Sequence, residues 1–211
     1  MRRDDSGRSR IQACEQVKIM SATGNETTGT FPLVDADTAD PRLKPIFDRM
    51  RAGGAGPLHI HRTIAHAPQV YEGFAALATA LRQPGATSRG DRELAILRTV
   101  YARQARYEYT EHRRIALGCG LTQAQVDGVE DWRGQSCFSP RQRLILQFTE
   151  ETLDNGNVDD ATWRIVRDQF SSQEIIELAM VTAFYTAVSQ FTHTVRVQPE
   201  IAASNYGVGD G

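Results

Sequence analysis

Cysteine is scarce in this chain and has none of the spacings that give it a structural role. Cys14, Cys119 and Cys137 are the only three among 211 residues, and no two of them form a C-x-x-C pair. A disulfide framework needs paired cysteines, and a structural zinc site needs clustered thiolates or imidazoles. The sequence therefore predicts neither, and it favours a reducing, cytoplasmic location.

The chain also lacks an excess of positive charge and a long hydrophobic run. Its 24 Lys and Arg residues nearly balance 26 Asp and Glu residues, for a net charge of −2. Binding nucleic acid through bulk charge needs a basic excess, and spanning a membrane needs about 20 apolar residues. The longest apolar stretch, 175–188, is interrupted by Glu177 and Thr182. We therefore expect no nucleic-acid or membrane partner.

No segment shows the alternating pattern of a β-strand, and glycine-rich phosphate loops and G-x-S-x-G are absent. Apolar residues recur instead at the three- and four-residue spacing of amphipathic helices. Helix-starting signals precede most of these segments: Asp40-Pro41, Ser88 with Asp91, Thr122, Ser139-Pro140 and Ser171-Ser172. The pattern predicts an all-α protein. We expect a flexible N-terminal leader and tail over 1–39, one helical domain over 40–198 and a C-terminal tail over 199–211.

A short internal echo suggests that the domain has two related halves. Residues 92–97 (RELAIL) resemble residues 176–181 (IELAMV) at an offset of 84, and the same offset aligns Tyr101 with Tyr185. Repeats of this kind indicate duplicated helical units. Chance is the alternative, because E-L-A with aliphatic residues is common in helices.

Glu108 and His112 form the first candidate chemical pair. They lie four residues apart, so on a helix they share a face. A carboxylate beside an imidazole orients the ring and makes a proton-transfer unit that works near neutral pH. Glu93, on the preceding helix, approaches the same point if the two helices pack antiparallel. The alternative is a solvated surface pair with Glu93 unconnected to it.

A second cluster comprises His59, His61, Arg62 and His66. Arg62 and His66 share a helical face, and a guanidinium pairs with both oxygens of a carboxylate. A carboxylate anchor is one interpretation of this pair, and an exposed basic helix end is the alternative. Combinations of Glu108, His112, His66 and His193 have no recognised metal-ligand spacing, so no metal is predicted.

Residues 92–121 resemble the carboxymuconolactone decarboxylase family, which includes AhpD-like alkylhydroperoxidases. The resemblance is carried by RELAILR at 92–98, by YEYxxH at 107–112 and by GxGL at 118–121, and it extends diffusely over 40–197. It implies an AhpD-like helical fold with an internal repeat. It also implies a homo-oligomer, either a dimer, a trimer or a hexamer.

The peroxidase branch of this family resembles E-(11 residues)-C-x-x-C-(3 residues)-H. Counted from Glu93, the two cysteine positions are Ala105 and Glu108, and the histidine is His112. Thiols are the groups that reduce peroxide, so thiol peroxidase activity is not expected. The decarboxylase branch keeps the Tyr-Glu-x-x-x-His form, which this chain has.

The resemblance thus implies a cofactor-independent lyase that decarboxylates a small carboxylated lactone. It implies His112 as the proton donor, Glu108 as its orienting partner and Glu93 as a second relay carboxylate. Substrate binding would fall to Arg62, His66 and Tyr107. Two alternatives stay open: an isomerase or other proton-transfer enzyme on the same scaffold, and a non-catalytic helical binding or oligomeric protein.

Overall fold

The computed structural model describes residues 31–54 and 56–200. This part of the chain contains nine α-helices and no strand, so the all-α prediction is confirmed. The helices are α1 (Lys44–Ala52), α2 (His59–Ile64), α3 (Pro68–Arg82), α4 (Arg89–Ala102), α5 (Arg106–Gly118), α6 (Gln123–Gly128), α7 (Pro140–Asn155), α8 (Asp160–Gln169) and α9 (Ser172–Thr194). A short 3₁₀ helix, Trp132–Gly134, precedes α7 and was not predicted.

Side-chain caps fix the starts of four helices where the sequence placed them. The Ser88 hydroxyl accepts a hydrogen bond from the Asp91 amide at 3.0 Å and begins α4. The helices α6, α7 and α9 begin with reciprocal capping boxes at Thr122, Ser139 and Ser171. Each cap satisfies amides that lack a partner within the helix.

The first helix begins later than the sequence suggested. Asp40-Pro41 opens a turn in which the amides of Leu43 and Lys44 donate to the Asp40 carbonyl, and α1 starts at Lys44. Pro45 explains the shift, because proline has no N–H and clashes with the carbonyl four residues earlier. It is therefore accommodated in the first turn of α1.

Helix α4 lies at the centre of the domain and packs against α5, α7 and α9. Leu94, Ala95, Leu97 and Val100 are completely buried there. A helix covered on several sides carries its polar residues into the interior as well. Glu93 of α4 is one of these, with no exposed surface.

Helix α9 is long and apolar enough to cross a membrane by length and composition, and half of its most apolar window is buried inside the protein. Core helices of soluble proteins also have these properties, and α9 contacts α3, α4, α7 and α8. It therefore serves as a central element of this fold.

A further layer is formed by α1, α2 and α3, whose buried residues include Phe47, Ile60 and Tyr71. Residues 31–39, which the sequence assigned to the tail, include a segment that lies against this layer. The Val34 amide donates to the Arg62 carbonyl at 3.2 Å. Residues 1–30 and 201–211, which make up the rest of the predicted tails, lie outside the described residues.

The two echoing segments lie in α4 and α9, which pack against each other. The offset of 84 makes Glu93 and Glu177 equivalent, and their surroundings differ. Glu93 pairs with His112 of α5, whereas Glu177 accepts hydrogen bonds from the amides of Ala86 and Thr87. The internal duplication stays a prediction.

Candidate active site

A buried carboxylate–imidazole pair joins α4 to α5. The Nδ1 atom of His112 lies 2.7 Å from Oε2 of Glu93. Glu93 has no exposed surface and His112 is only 8% exposed. On the same helix, one turn before Glu93, Arg89 forms an ion pair with its other carboxylate oxygen. The Glu93 charge is therefore balanced inside the domain.

This contact determines which nitrogen of His112 exchanges a proton. A carboxylate only accepts hydrogen bonds, so the Glu93 contact assigns a proton to Nδ1. The other ring nitrogen, Nε2, is left to take up or release a proton. A carboxylate partner of this kind also fixes the orientation of the ring.

Tyr185 of α9 completes the wall around the imidazole. Its ring meets the His112 ring edge-on, with centroids 4.7 Å apart. Burial raises the pKa of the Tyr185 phenol, and the neighbouring charge of Glu93 raises it further, although Arg82 and Arg89 oppose the shift. Tyr185 therefore stays a neutral phenol beside the pair.

Glu108, in the first turn of α5, is a buried carboxyl group of a different kind. It is 3% exposed, and neither of its oxygens hydrogen-bonds to any described residue. Burial raises the pKa of Glu108, while Thr192, His112 and His193 lower it less strongly. The Thr192 hydroxyl is itself engaged, because it donates to the Ser189 carbonyl at 3.2 Å. The surroundings therefore favour the neutral acid form of Glu108.

The structure thus gives the two carboxyl groups different places from those expected. The sequence paired His112 with Glu108, but Nδ1 of His112 donates its hydrogen bond to Glu93. Helical spacing puts residues 108 and 112 on one face of α5. The choice of partner for Nδ1 is made by the packing of α4 against α5, which spacing within α5 does not reveal.

The three expected substrate-binding residues are engaged by chain segments outside the helices. The Arg62 Nε donates to the Val34 carbonyl at 2.8 Å. His66 is exposed, and its Nε2 lies 2.9 Å from the Pro32 carbonyl oxygen. The Tyr107 hydroxyl donates to Oε1 of Glu200 at 3.1 Å. No described contact brings any of the three to Glu93 or His112.

Arg89 and Tyr185 are the site residues that the sequence did not identify. Arg89 lies four residues before Glu93, a spacing that predicts an ion pair on a helix. The internal echo aligns Tyr185 with Tyr101 but assigns it no role in the site. Among the described residues, no group of three or more His, Cys, Asp or Glu side chains could hold a metal ion.

The surface of the described residues has clefts, two of which lie beside α3 and α9. The larger, of about 760 Å³, lies between α1 and α3, and His61 and Tyr71 are among its lining residues. The smaller, of about 420 Å³, lies beside the end of α9 and is lined by Ser189 and His193. Neither cleft is lined by Glu93 or His112.

The geometry can be compared with known proteins. The model of the carboxymuconolactone decarboxylase family matches residues 68–151, which contain Glu93, Glu108 and His112. No curated protein gives a match to the chain.

Several solved structures share the fold. A peroxidase-related protein with an AhpD core from Ralstonia eutropha is 23% identical, with a TM-score of 0.72 over 84% of this chain and 95% of its own. A peroxidase-related protein from a Silicibacter species is 16% identical, with a TM-score of 0.73 over 85% and 96%. The debrominase Bmp8 in complex with 2,3,4-tribromopyrrole is 16% identical, with a TM-score of 0.70 over 86% and 97%. At these identities the likeness shows the AhpD-like helical fold.

Proposed function

Because the model of the carboxymuconolactone decarboxylase family matches residues 68–151, we propose that this chain is a cofactor-independent acid–base enzyme of that family. Its proposed reaction is the decarboxylation of a small carboxylated lactone or related carbonyl compound. The observation that carries the proposal is the buried Glu93–His112 hydrogen bond beside a carboxyl group, Glu108, that burial holds toward its neutral form.

Decarboxylation needs a place for an electron pair and then a proton. When the carbon–carbon bond breaks, CO2 leaves and its electron pair delocalises onto the carbonyl oxygen as an enolate. Protonated His112 then delivers a proton from Nε2 to carbon, while Glu93 stabilises the imidazolium through Nδ1. Solvent restores the proton to the ring, so the cycle closes without a net change in the protein.

Glu108 supplies a different function in this scheme. A neutral carboxylic acid donates a hydrogen bond, whereas a carboxylate only accepts. A donor aimed at the enolate oxygen stabilises the negative charge that develops when CO2 leaves. The absence of described partners for both Glu108 oxygens leaves its acid proton available for this contact.

Thiol chemistry is not part of the proposal, although structural neighbours include peroxidase-related proteins and a debrominase. The positions that correspond to the redox cysteines are Ala105 and Glu108. Of the two described cysteines, Cys119 follows the end of α5 and Cys137 lies in the loop before α7. They do not reproduce the C-x-x-C arrangement.

Proton-transfer isomerisation is the second candidate. One observation favours it: Arg62 and His66, the expected carboxylate anchors, are engaged by the segment around residues 32–34. An isomerase uses the same imidazole to move a proton between two carbons and needs no anchor for a departing carboxylate.

The experiment measures CO2 release, peroxide consumption and exchange of substrate hydrogen with deuterated solvent in parallel, starting with a carboxylated muconolactone. We expect CO2 release by the natural protein, and a 100-fold or greater loss in His112→Gln, about the contribution of a general acid. His66→Gln is the matched control, because His66 is exposed and lies outside the pair; it should retain full activity.

Each outcome separates the candidates. Equal activity of His112→Gln and the natural protein would refute the role of the pair. Hydrogen exchange without CO2 release would favour the isomerase. Peroxide consumption that survives in His112→Gln would contradict both acid–base candidates.

A further inference from the structure

The residues that line the larger cleft have no part in the proposed reaction. It lies between α1 and α3, and its volume of about 760 Å³ is that of a small-molecule site. Ile46, Met50 and Ala75 give it an apolar surface. His61 and Tyr71 also line it, and both are buried in the domain, so this part of the cleft is fixed by the core.

The charged residues of this cleft are mainly arginines. Arg42, Arg49 and Arg82 line it against a single acidic residue, Glu72. Arg42 is held by an ion pair with Asp40 at 3.1 Å. By contrast, Arg49 and Arg82 form no hydrogen bond or ion pair through their side chains with any described residue.

Both guanidiniums act on the buried Tyr71, and Arg82 also acts on the buried His61. Arg82 lowers the pKa of both His61 and Tyr71, and Arg49 lowers that of Tyr71. Both charges thus lie near the His61–Tyr71 surface, where the Tyr71 hydroxyl and His61 Nδ1 are 3.2 Å apart. Burial lowers the pKa of His61 to about 4, so the imidazole contributes hydrogen-bonding groups without charge at neutral pH.

We propose that the α1–α3 cleft is a binding site for a small organic dicarboxylate, whose carboxylates pair with Arg49 and Arg82 and whose hydrocarbon body contacts Ile46 and Met50. A guanidinium offers a carboxylate two parallel hydrogen bonds, and two such groups select a ligand with two carboxylates. The apolar surface selects an organic body over an inorganic anion. Neither Glu93 nor His112 lines this cleft, and its ligand need not be the substrate.

A chain of ring contacts connects this cleft to the candidate active site. Phe74 of α3 lies 6.2 Å from the His61 ring and 5.3 Å from Phe184, which in turn lies 5.3 Å from Tyr185. Tyr185 packs against the imidazole of the pair. A ligand in the cleft therefore sits on the same aromatic layer that positions the site.

Calorimetric titration of the full chain tests the proposal, with adipate as the probe. Adipate is flexible enough to adapt to the spacing of the two arginines. Hexanoate has the same chain length with one carboxylate, and inorganic phosphate has charge without a hydrocarbon body. We expect saturable binding of adipate at least tenfold tighter than that of either comparison anion.

Variants locate the site. The double variant Arg49→Gln/Arg82→Gln should weaken adipate binding at least tenfold, and both residues are exposed, so the fold should persist. Arg164→Gln, which removes an exposed arginine of α8 outside the cleft, should not weaken it. His112→Gln should also bind adipate normally, which separates this site from the proposed reaction.

Four results would overturn the proposal. They are no binding of adipate, equal binding of phosphate, unchanged binding by the double variant, and loss of binding in His112→Gln. A failure of the decarboxylase assay leaves the titration unaffected, so the two proposals fail independently.

Discussion

Glu93→Gln probes the contact on which the candidate site depends. The carboxylate is completely buried and lies between the Arg89 guanidinium and Nδ1 of His112. Glutamine has nearly the same volume, so the substitution removes the charge and leaves the packing of α4 intact. The side-chain amide of the glutamine also carries an N–H₂ group, which only donates. This group must face another donor, either the Arg89 guanidinium or Nδ1 of His112.

The structure sets the size of the effect. Breaking a buried ion pair by removing one partner costs about 3–5 kcal/mol, because the other charge is left uncompensated. The glutamine oxygen still accepts one hydrogen bond, and Arg89 is partly exposed, so the lower end applies. We expect the free energy of unfolding to fall by about 3 kcal/mol. For a chain of this length, that corresponds to a melting temperature lower by about 6–12 °C.

Urea unfolding followed by circular dichroism measures this change, and Glu111→Gln is the matched control. Glu111 lies on α5, and its ion pair with Arg114, at 3.5 Å, is at the surface. Surface pairs contribute about 0–1 kcal/mol, so the control should change stability by less than about 0.5 kcal/mol. If both variants unfold at the same urea concentration, the buried pair does not stabilise the domain as argued.

Three further predictions concern stability. The raised pKa of Glu108 means that the folded state holds its proton more tightly, so this group makes the free energy of unfolding fall as pH rises above about 4.5. Urea unfolding of Glu108→Gln at several pH values should therefore lose this pH dependence. An unchanged pH dependence would contradict the prediction. Because the pKa of His61 is lowered to about 4, this group makes the free energy of unfolding fall as pH drops from 6.5 toward 4. At about 1.36 kcal/mol per pH unit the loss is about 3 kcal/mol. His61→Gln should remove this loss, and a loss that persists in the variant would show that other groups cause it. Gly85→Ala would put its Cβ 2.5 Å from Oε1 of Glu177, and this clash should destabilise the protein by about 1–2 kcal/mol. Gly73→Ala, in α3, has open space around the new Cβ and should stabilise the protein by about 0.5–1 kcal/mol. Equal melting temperatures for the two alanine variants would count against the clash at Gly85.

The fold was predictable because its determinants are local. Caps such as Ser88 and Ser139 mark helix starts through contacts three residues away, and apolar spacing marks the buried face. The start of α1, which differs from the predicted one, also has a local cause in Pro45. Local chemistry of this kind is readable without knowledge of the tertiary structure.

The partners of the candidate site residues were less predictable because packing between distant segments decides them. The sequence identified Glu93, Glu108 and His112, yet it joined the ring to the carboxyl group on its own helix. It also left Arg62 free to bind substrate, because the segment that contains Val34 was interpreted as tail. In both cases a residue from another part of the chain forms the hydrogen bond: Glu93 with His112, and Val34 with Arg62.

The two carboxyl groups beside His112 show why residue type alone does not assign a role. Glu93 and Glu108 are both buried, and two ionised carboxylates around one imidazole would repel each other. Glu93 has the Arg89 guanidinium and a ring nitrogen of His112 as partners, whereas Glu108 has no hydrogen-bonding partner among the described residues and burial favours its neutral form. Environments that separate two carboxyl groups in this way allow one to orient a base and the other to donate a proton. Counted from Glu93, the peroxidase pattern has a cysteine where this chain has Glu108, so under the proposed function an acid stands in the place of a thiol.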